Sequence, residues 1–383
     1  MIEKKFVNFV KKIYNTKSKI ELHEPSFNKI DYKLINDTIK SGFVSSIGKN
    51  IDKFSSQLSN FTGSKYVIPV TNGTSAIYLS LYTSGVTYGD EVIVPSYTFV
   101  GTCNPIKYLG ANPVFIDIEQ NNLSLSVSKL DDFLDKKTVL TKKGLINKVS
   151  RNIIKACIAV HPYGLSCSNL ELKKLCKKYK IVFIEDAAEA LGSFKNNRHA
   201  GLEGDMSVLS FNGNKIITTG GGGAILTQNY TYYKKLKHIS TTSLIRRKLN
   251  YNYYDQLGFN FRMPNLNAAL GISQLNKINE YLNAKKKIHY AYKEFFEGTE
   301  VKLLSSHSKS DNPNYWLNTV KFNSLKSKEN FLKYCISKNV NVKPGWIPLH
   351  YFKHFKFNLK ENLDNTEKIY NYIVNLPSSP NNK

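Results

Sequence analysis

Cysteine, tryptophan and acidic side chains are all scarce in this chain of 383 residues: it has five Cys, two Trp, and 29 Asp and Glu against 54 Lys and Arg. The cysteines (Cys103, Cys157, Cys167, Cys176 and Cys335) are odd in number and none form a CxxC pair. That pattern excludes a disulfide framework and a structural zinc knot, so reduced thiols are expected. The eight histidines contain no HExxH or other close ligand pair, so no metal is expected. No apolar run approaches the roughly 18 residues that a membrane helix needs. The opening Met1-Ile2-Glu3-Lys4-Lys5 lacks the apolar core and small-residue cleavage site of a secretory signal. A cytoplasmic protein without membrane insertion is the expectation.

The shortage of acids leaves a formal charge of +25. A nucleic-acid surface concentrates Lys and Arg on one face or one tail. Here Lys is spread along the chain beside frequent Asn and Ile, the mark of a compositional bias at exposed positions, and no nucleic-acid role is expected. The excess does favour an anionic small substrate such as a nucleotide sugar.

The hydrophobic fraction of 41% is ordinary for a globular protein and leaves ample material for a large core. Residues 1–40 read as a basic amphipathic helix (Phe6, Val7, Phe9, Val10, Ile13, Tyr14), a polar linker and a second helix. Packing of the first helix on the body is the expected role, with membrane-surface binding as the competing one. From residue 65 the texture becomes regular. Residues 65–70, 91–94, 113–117, 153–160 and 180–185 read as strands, and residues 74–84 and 168–179 as helices. Buried Val and Ile runs alternating with amphipathic stretches predict an α/β fold, a large mostly parallel sheet sandwiched by helices. Two further short strands, 205–211 and 223–227, flank a loop. After residue 265 a long polar helix (265–287) leads into mixed segments of a smaller α+β unit, and residues from 377 onward read as a frayed tail. The division expected is an N-terminal arm (1–40), a large domain (41–264) and a small one (265–383).

Chemistry concentrates where three strands end. Asp186 closes the apolar run Ile181-Val182-Phe183-Ile184-Glu185-Asp186, where an unpaired carboxylate is costly. Lys215 follows Ser210 in Ser210-Phe211-Asn212-Gly213-Asn214-Lys215, just before the glycines 220–223. Thr74 and Ser75 open a helix after a strand and a glycine, where N–H groups and hydroxyls suit a phosphate. A carboxylate, then a serine, then a lysine in this order suits pyridoxal 5′-phosphate. Its aldehyde condenses with a lysine amine, its pyridinium nitrogen wants a permanent anion, and its phosphate wants donors. Taken singly, each residue has a plainer reading: a solvated loop lysine, an N-capping Asp186, a salt-bridged Glu189 and a core Phe99. Phe99 follows another strand end and can stack on the ring; Glu189 can reach the cofactor hydroxyl or the substrate. The glycine run opens no helix with GxGxxG spacing, which argues against a dinucleotide.

With these segments placed, the chain resembles the DegT/DnrJ/EryC1/StrS family of sugar aminotransferases from about residue 24 to 379. The landmarks are Asn72-Gly73-Thr74-Ser75-Ala76, Gly89-Asp90-Glu91-Val92-Ile93-Val94-Pro95, Gly110-Ala111-Asn112-Pro113-Val114-Phe115, Val160-His161-Pro162-Tyr163-Gly164, Glu185-Asp186-Ala187-Ala188-Glu189 and Gly258-Phe259-Asn260-Phe261-Arg262-Met263. The resemblance implies a fold-type I enzyme, a homodimer with shared active sites and L-glutamate as amino donor. It gives Lys215 the cofactor aldehyde, Asp186 the ring nitrogen, Thr74, Ser75 and Ser210 the phosphate, Phe99 the ring face, and Asn260 the phosphate of the partner subunit's cofactor. Family dehydratases replace the lysine, so its presence implies amino transfer.

Leu22-His23-Glu24-Pro25 and the stretch Gly42-Phe43-Val44-Ser45-Ser46-Ile47-Gly48-Lys49 resemble the branch linked to bacillosamine and legionaminic acid. That branch implies C4 amination of UDP-2-acetamido-2,6-dideoxy-4-hexulose, and Glu189 agrees with C4 chemistry. A GDP-linked 4-keto-6-deoxymannose, giving perosamine, is the alternative substrate, and a non-catalytic nucleotide-sugar binder is the alternative from another class. Ser46, Lys343, Trp346 and His350 are the implied sugar-nucleotide contacts. Gly221 departs from the Glu that many relatives carry, which puts the order of that loop in question.

Overall fold

The computed structural model describes residues 2–165, 169–246, 251–305 and 310–380. Its centre is a nine-stranded sheet whose main path runs Tyr66–Val70, Gly223–Thr227, Met206–Ser210, Val182–Asp186, Ile153–Val160, Glu91–Pro95, Asn112–Ile116. Along this path only Gly223–Thr227 runs antiparallel to its neighbours. Helices cover both faces, and Val92, Ile93 and Val94 are completely buried in succession. Burial on both sides is why these strands read as unbroken apolar runs in the sequence. Alternation then sends side chains to two cores. Ile184 packs with Ile77 and Ile106 on one face, while Phe183 packs with Leu172 and Cys176 on the other. The α/β class and its mixed sheet agree with the expectation.

Lys302–Leu303, Asn318–Lys321, Ile373–Leu376 and Lys343–Pro344 form a second, four-stranded antiparallel sheet. The first helix, Ile2–Ile13, buries Phe6, Val7 and Val10 in the core of this part, against Tyr292, Phe296 and Phe331. Burying Phe6 alone stabilises by roughly 1.5–3 kcal/mol. No helix among the described residues is long and apolar enough to cross a membrane. Cys103, Cys157, Cys176 and Cys335 are free and buried. Cys167 lies outside the described residues, as does Ser168, where the helix observed at Leu170–Lys178 was expected to begin.

Two expectations fail. The long polar helix is two helices, Asn265–Asn276 and Ile278–Phe296, divided at Lys277, and the first is almost wholly buried. Its polar residues are core residues with partners: Asn265 donates to the Phe43 carbonyl at 2.5 Å, and Gln274 donates to the Ser26 carbonyl at 2.9 Å. The tail is not frayed at residues 377–380. Ser378 is fully buried, its N–H donates to the Leu22 carbonyl at 2.7 Å, and its own carbonyl accepts from the buried Lys285. Residues 381–383 lie outside the described residues.

Two buried imidazoles make the fold acid-sensitive. Gly192 N–H donates to His199 Nε2 at 2.9 Å, which occupies the lone pair that a second proton needs. His289 is buried with Nδ1 2.8 Å from Asn318 Oδ1. Burial pushes both rings down to about 4. Unfolded histidine titrates near ~6.5, so their contribution is complete above that pH and is lost as pH falls towards 4. Denaturant titrations from about pH 7 to about pH 4.5 are expected to show a loss of roughly 2–3 kcal/mol per imidazole, and His199→Gln to flatten the slope. A pH-independent unfolding free energy over that interval would contradict this.

Candidate active site

Ligands gather beyond the carboxyl ends of parallel strands, and here those ends converge. Val70, Pro95, Val160, Asp186 and Ser210 finish on one edge of the sheet. The turns after them line a cavity of about 680 Å³, bounded on its far side by the second sheet and by residues 21–23. Asp186, Glu189, Lys215, Thr74, Phe99, Ser210, Lys343 and Trp346 all border it.

Asp186 pairs in register with Val160 and Val208 and faces the helix Val100–Tyr108. Its Oδ2 accepts from Thr102 Oγ1 at 2.7 Å and its Oδ1 from the Ala188 N–H at 3.1 Å. Two donors do not match the four acceptor positions of a carboxylate, and burial raises its pKa above the usual range. Glu185, one residue back, faces the other way. There it accepts from Asn169 at 2.7 Å and from the N–H groups of Glu203 and Gly204 at 2.8 and 2.6 Å, with His161 Nε2 at 3.1 Å. This buried network fixes the strand end from behind, and His161 N–H donates to the Asp186 carbonyl at 3.0 Å.

Lys215 Nζ sits 3.2 Å from Glu189 Oε1 and 4.1 Å from the centre of the Trp316 ring. Trp316 is itself anchored, its indole N–H donating to the Asn214 carbonyl at 2.6 Å. Glu189 Oε2 accepts from the Tyr163 N–H at 2.8 Å. Tyr163 is a buried bulky residue at φ 57°, a strained conformation held where it aims that N–H at Glu189. Burial raises the Glu189 pKa and Lys215 opposes it.

On the phosphate side, Asn72 caps the helix Gly73–Thr83, its side chain accepting from the Ser75 N–H at 2.7 Å. That donor is therefore taken within the protein, and the Ser75 hydroxyl lies 3.2 Å from Thr71 Oγ1. Ser75 does not line the cavity. The N–H groups of Gly73 and Thr74 remain as helix-end donors. A Cβ on Gly73 would lie 3.2 Å from the Ser210 Cβ, so this backbone and Ser210 form one cradle. A Cβ on Gly223 would come within 2.6 Å of the Asn72 backbone, which is why glycine stands where that strand passes under the cradle.

Asn260, expected at the partner subunit's cofactor, is exposed in the segment bridged to Thr241 and does not line this cavity. Two other expected residues are not brought to this cavity. Ser46 is half-buried and away from the cavity lining. His350 is buried with Nδ1 2.7 Å from Ser96 Oγ and Nε2 3.3 Å from Glu367, so it pins its own turn to the sheet edge. Around Gly221 the loop is ordered without a glutamate: Asn267 Nδ2 donates to the carbonyls of Thr219 and Gly221 at 2.7 and 2.9 Å.

Sequence reasoning missed Thr102, Tyr163, Trp316, His23, Asn341 and Asn375, all of which line the cavity. One signal was available: the chain has only two tryptophans, and both border this site.

An incompletely paired buried carboxylate, an amine across the same cavity and a donor-rich helix end to the side match the three ends of pyridoxal 5′-phosphate, the cofactor of this class of fold-type I enzymes. The chain belongs to the DegT/DnrJ/EryC1/StrS aminotransferase family, whose sequence profile matches residues 25–383. GDP-perosamine synthase of Vibrio cholerae is 32% identical over 366 residues, 94% of each chain. GDP-perosamine synthase of Escherichia coli O157:H7 is 31% identical over 334 residues, 86% of this chain and 85% of that one. Among solved structures, Helicobacter pylori PseC, an aminotransferase involved in the biosynthesis of pseudoaminic acid, superposes with a TM-score of 0.84 at 26% identity, over 94% of both chains.

Proposed function

We propose that this protein transfers the amino group of L-glutamate to C4 of a nucleotide-linked 4-keto-6-deoxyhexose. The observation that carries the reading is the convergence of Lys215, Glu189 and Asp186 on one cavity beside the Gly73–Ser210 cradle. Bound pyridoxal phosphate supplies the electron sink that amino transfer needs. Lys215 would hold the cofactor through its aldehyde, and its amine is placed to take and return a proton at the donor carbon. Glu189 holds the Lys215 amine in place at 3.2 Å. Asp186 keeps the ring nitrogen protonated. Thr74, Ser210 and the helix end hold the phosphate, and Phe99 covers the ring.

Of the two sugars, GDP-linked 4-keto-6-deoxymannose comes first, because three relatives that match over most of the chain are GDP-perosamine synthases. UDP-2-acetamido-2,6-dideoxy-4-hexulose is the second reading, favoured by the Leu22-His23-Glu24-Pro25 segment, part of which lines the cavity. A homodimer with shared sites belongs to the same proposal. It is supported by the exposed apolar residues Phe43, Val44, Ile47 and Leu257, and by Asn260 lying exposed outside its own chain's cavity lining. Each ketosugar is to be incubated with glutamate and the product weighed by mass spectrometry. The expected result is the GDP-linked amino sugar at a kcat/KM at least about tenfold above the UDP-linked one. The reverse order would select the second sugar, and no amination of either would remove the reading.

A further inference from the structure

The turn 314–316 is tied to the Glu189 turn and to the lysine loop by buried polar bonds. Asn314 is only 1% exposed. Its Oδ1 accepts from the Trp316 N–H, and its Nδ2 donates to the carbonyls of Glu189 and Leu191, all three at 2.8 Å. Its own N–H donates to Ser193 Oγ at 3.0 Å. Gly164 stands beside it at φ 85°, and a Cβ there would collide with Asn314 Oδ1, so glycine leaves room for this amide. Tyr315 takes φ 50°, a conformation unfavourable for a bulky residue, and the buried Lys285 donates to the Trp316 carbonyl at 3.1 Å. Strain of this kind persists only where the surrounding bonds over-determine the turn.

The turn presents Trp316 to the cavity, and the indole meets the lysine at both ends. Its N–H donates to the carbonyl of Asn214, the residue before Lys215, at 2.6 Å, and its ring centre lies 4.1 Å from Lys215 Nζ. Glu189 Oε1 meets the same Nζ at 3.2 Å. Asn314 therefore joins the main chains of the two residues that hold the amine, Glu189 by its carbonyl and Trp316 by its N–H. Amino transfer uses the lysine in two ways. As the anchor of the cofactor it is held covalently. Once the amino donor has taken its place, a flexible four-carbon stem must still keep the amine beside the donor carbon. The negative face of the indole and the Glu189 carboxylate both attract the ammonium that forms when the amine takes the proton from that carbon.

We infer that Trp316 is a positioning residue for the reaction: with Glu189 it fixes where the free Lys215 amine rests for proton transfer at the donor carbon, and Asn314 sets the spacing between the two contacts. The inference rests on the aminotransferase reading above and adds the residues that act through its lysine.

The test compares the cofactor-loaded wild type with Trp316→Leu, Trp316→Phe and Asn314→Asp, with thermal melting as the check on folding. Both Trp316 variants lose the bond to Asn214, but phenylalanine keeps a ring face, so the difference between them isolates that face. Asn314→Asp keeps an acceptor for the Trp316 N–H and turns an oxygen towards two carbonyls, which breaks the link to the Glu189 turn. Three quantities are to be measured: the borohydride-trapped label on Lys215, the affinity for glutamate, and the rate of the glutamate-dependent change in cofactor absorbance with α-protonated and α-deuterated donor. Trp316→Leu is expected to keep the label and to bind glutamate within about threefold of wild type. It should slow the absorbance change about 10- to 100-fold, with a full primary deuterium isotope effect. Trp316→Phe should recover most of that rate, and Asn314→Asp should behave as Trp316→Leu does. A readout without cofactor comes from the chain's having only two tryptophans. In a Trp346→Phe background, Asn314→Asp should move the Trp316 emission to longer wavelength as the ring leaves its seat. An unchanged rate in Trp316→Leu, a slowed step without an isotope effect, loss of the label, or a phenylalanine variant as slow as leucine would each overturn the assignment. Unchanged emission would overturn the part given to Asn314, and if Asn314→Asp does not fold, the Trp316 pair decides alone. A wild-type protein that shows no glutamate-dependent absorbance change would instead remove the functional reading, and this inference with it.

Discussion

Replacing Lys215 with alanine is expected to lower amino transfer by about 10⁴-fold or more, the scale at which both a covalent anchor and a proton carrier are lost. Lysine 215 is surrounded in a way no surface lysine is: Glu189 at 3.2 Å, the Trp316 ring at 4.1 Å, and only 14% of its side chain exposed. Lys215→Arg is the sharper variant. It retains the positive charge opposite Glu189, but a guanidinium does not lose its proton in a protein and cannot attack an aldehyde. Arginine should therefore be as inactive as alanine while melting closer to the wild type. Borohydride reduction of the reconstituted protein, followed by peptide mass spectrometry, should place the cofactor label on residue 215 alone and abolish it in both variants. A label on any of the other lysines, or activity in the arginine variant, would show that position 215 does not carry the chemistry.

The position of Lys215 was readable because its signal is local. A strand ending in Asp186, a short strand ending in Ser210 and a lysine before a glycine run lie within thirty residues or so, and each strand's apolar run reflects burial on both faces. The rest of the site was not readable for the same reason. Trp316 reaches the lysine loop across 102 residues of sequence, and the Asn314 side chain reaches the Glu189 carbonyl across 125. Neither contact leaves a periodicity or a motif.

Both departures from expectation have one cause. A polar residue reads as exposed, yet Asn265, Gln274 and Ser378 are buried and bonded to main-chain groups. Composition reports the cost of burying a polar group but not whether a distant carbonyl meets it.

Asp186 should separate stability from function in opposite directions. Asp186→Asn keeps an acceptor for the Ala188 N–H, turns the position facing Thr102 into an NH2 that the Thr102 hydroxyl can accept from, and removes the negative charge. Without that charge nothing holds the proton on the ring nitrogen, and turnover is expected to fall by about 10²- to 10⁴-fold with weaker cofactor retention. The cofactor-free protein should respond the other way. Burial raises the Asp186 pKa, with the Thr102, Ala188 and Lys215 interactions only partly offsetting it. A carboxyl that holds its proton more tightly folded than unfolded costs nothing below its unfolded pKa near ~3.9 and destabilises increasingly as pH rises through the folded value. The asparagine variant, having no proton to lose, should therefore melt above wild type at neutral pH when both are free of cofactor, and the gap should close towards about pH 4. With saturating cofactor the order should reverse, because a ligand bound only to the folded state stabilises most where it binds best. A variant less stable than wild type in the cofactor-free state, or one that keeps its turnover, would mean that this carboxylate is a structural cap and not the anion reserved for the ring.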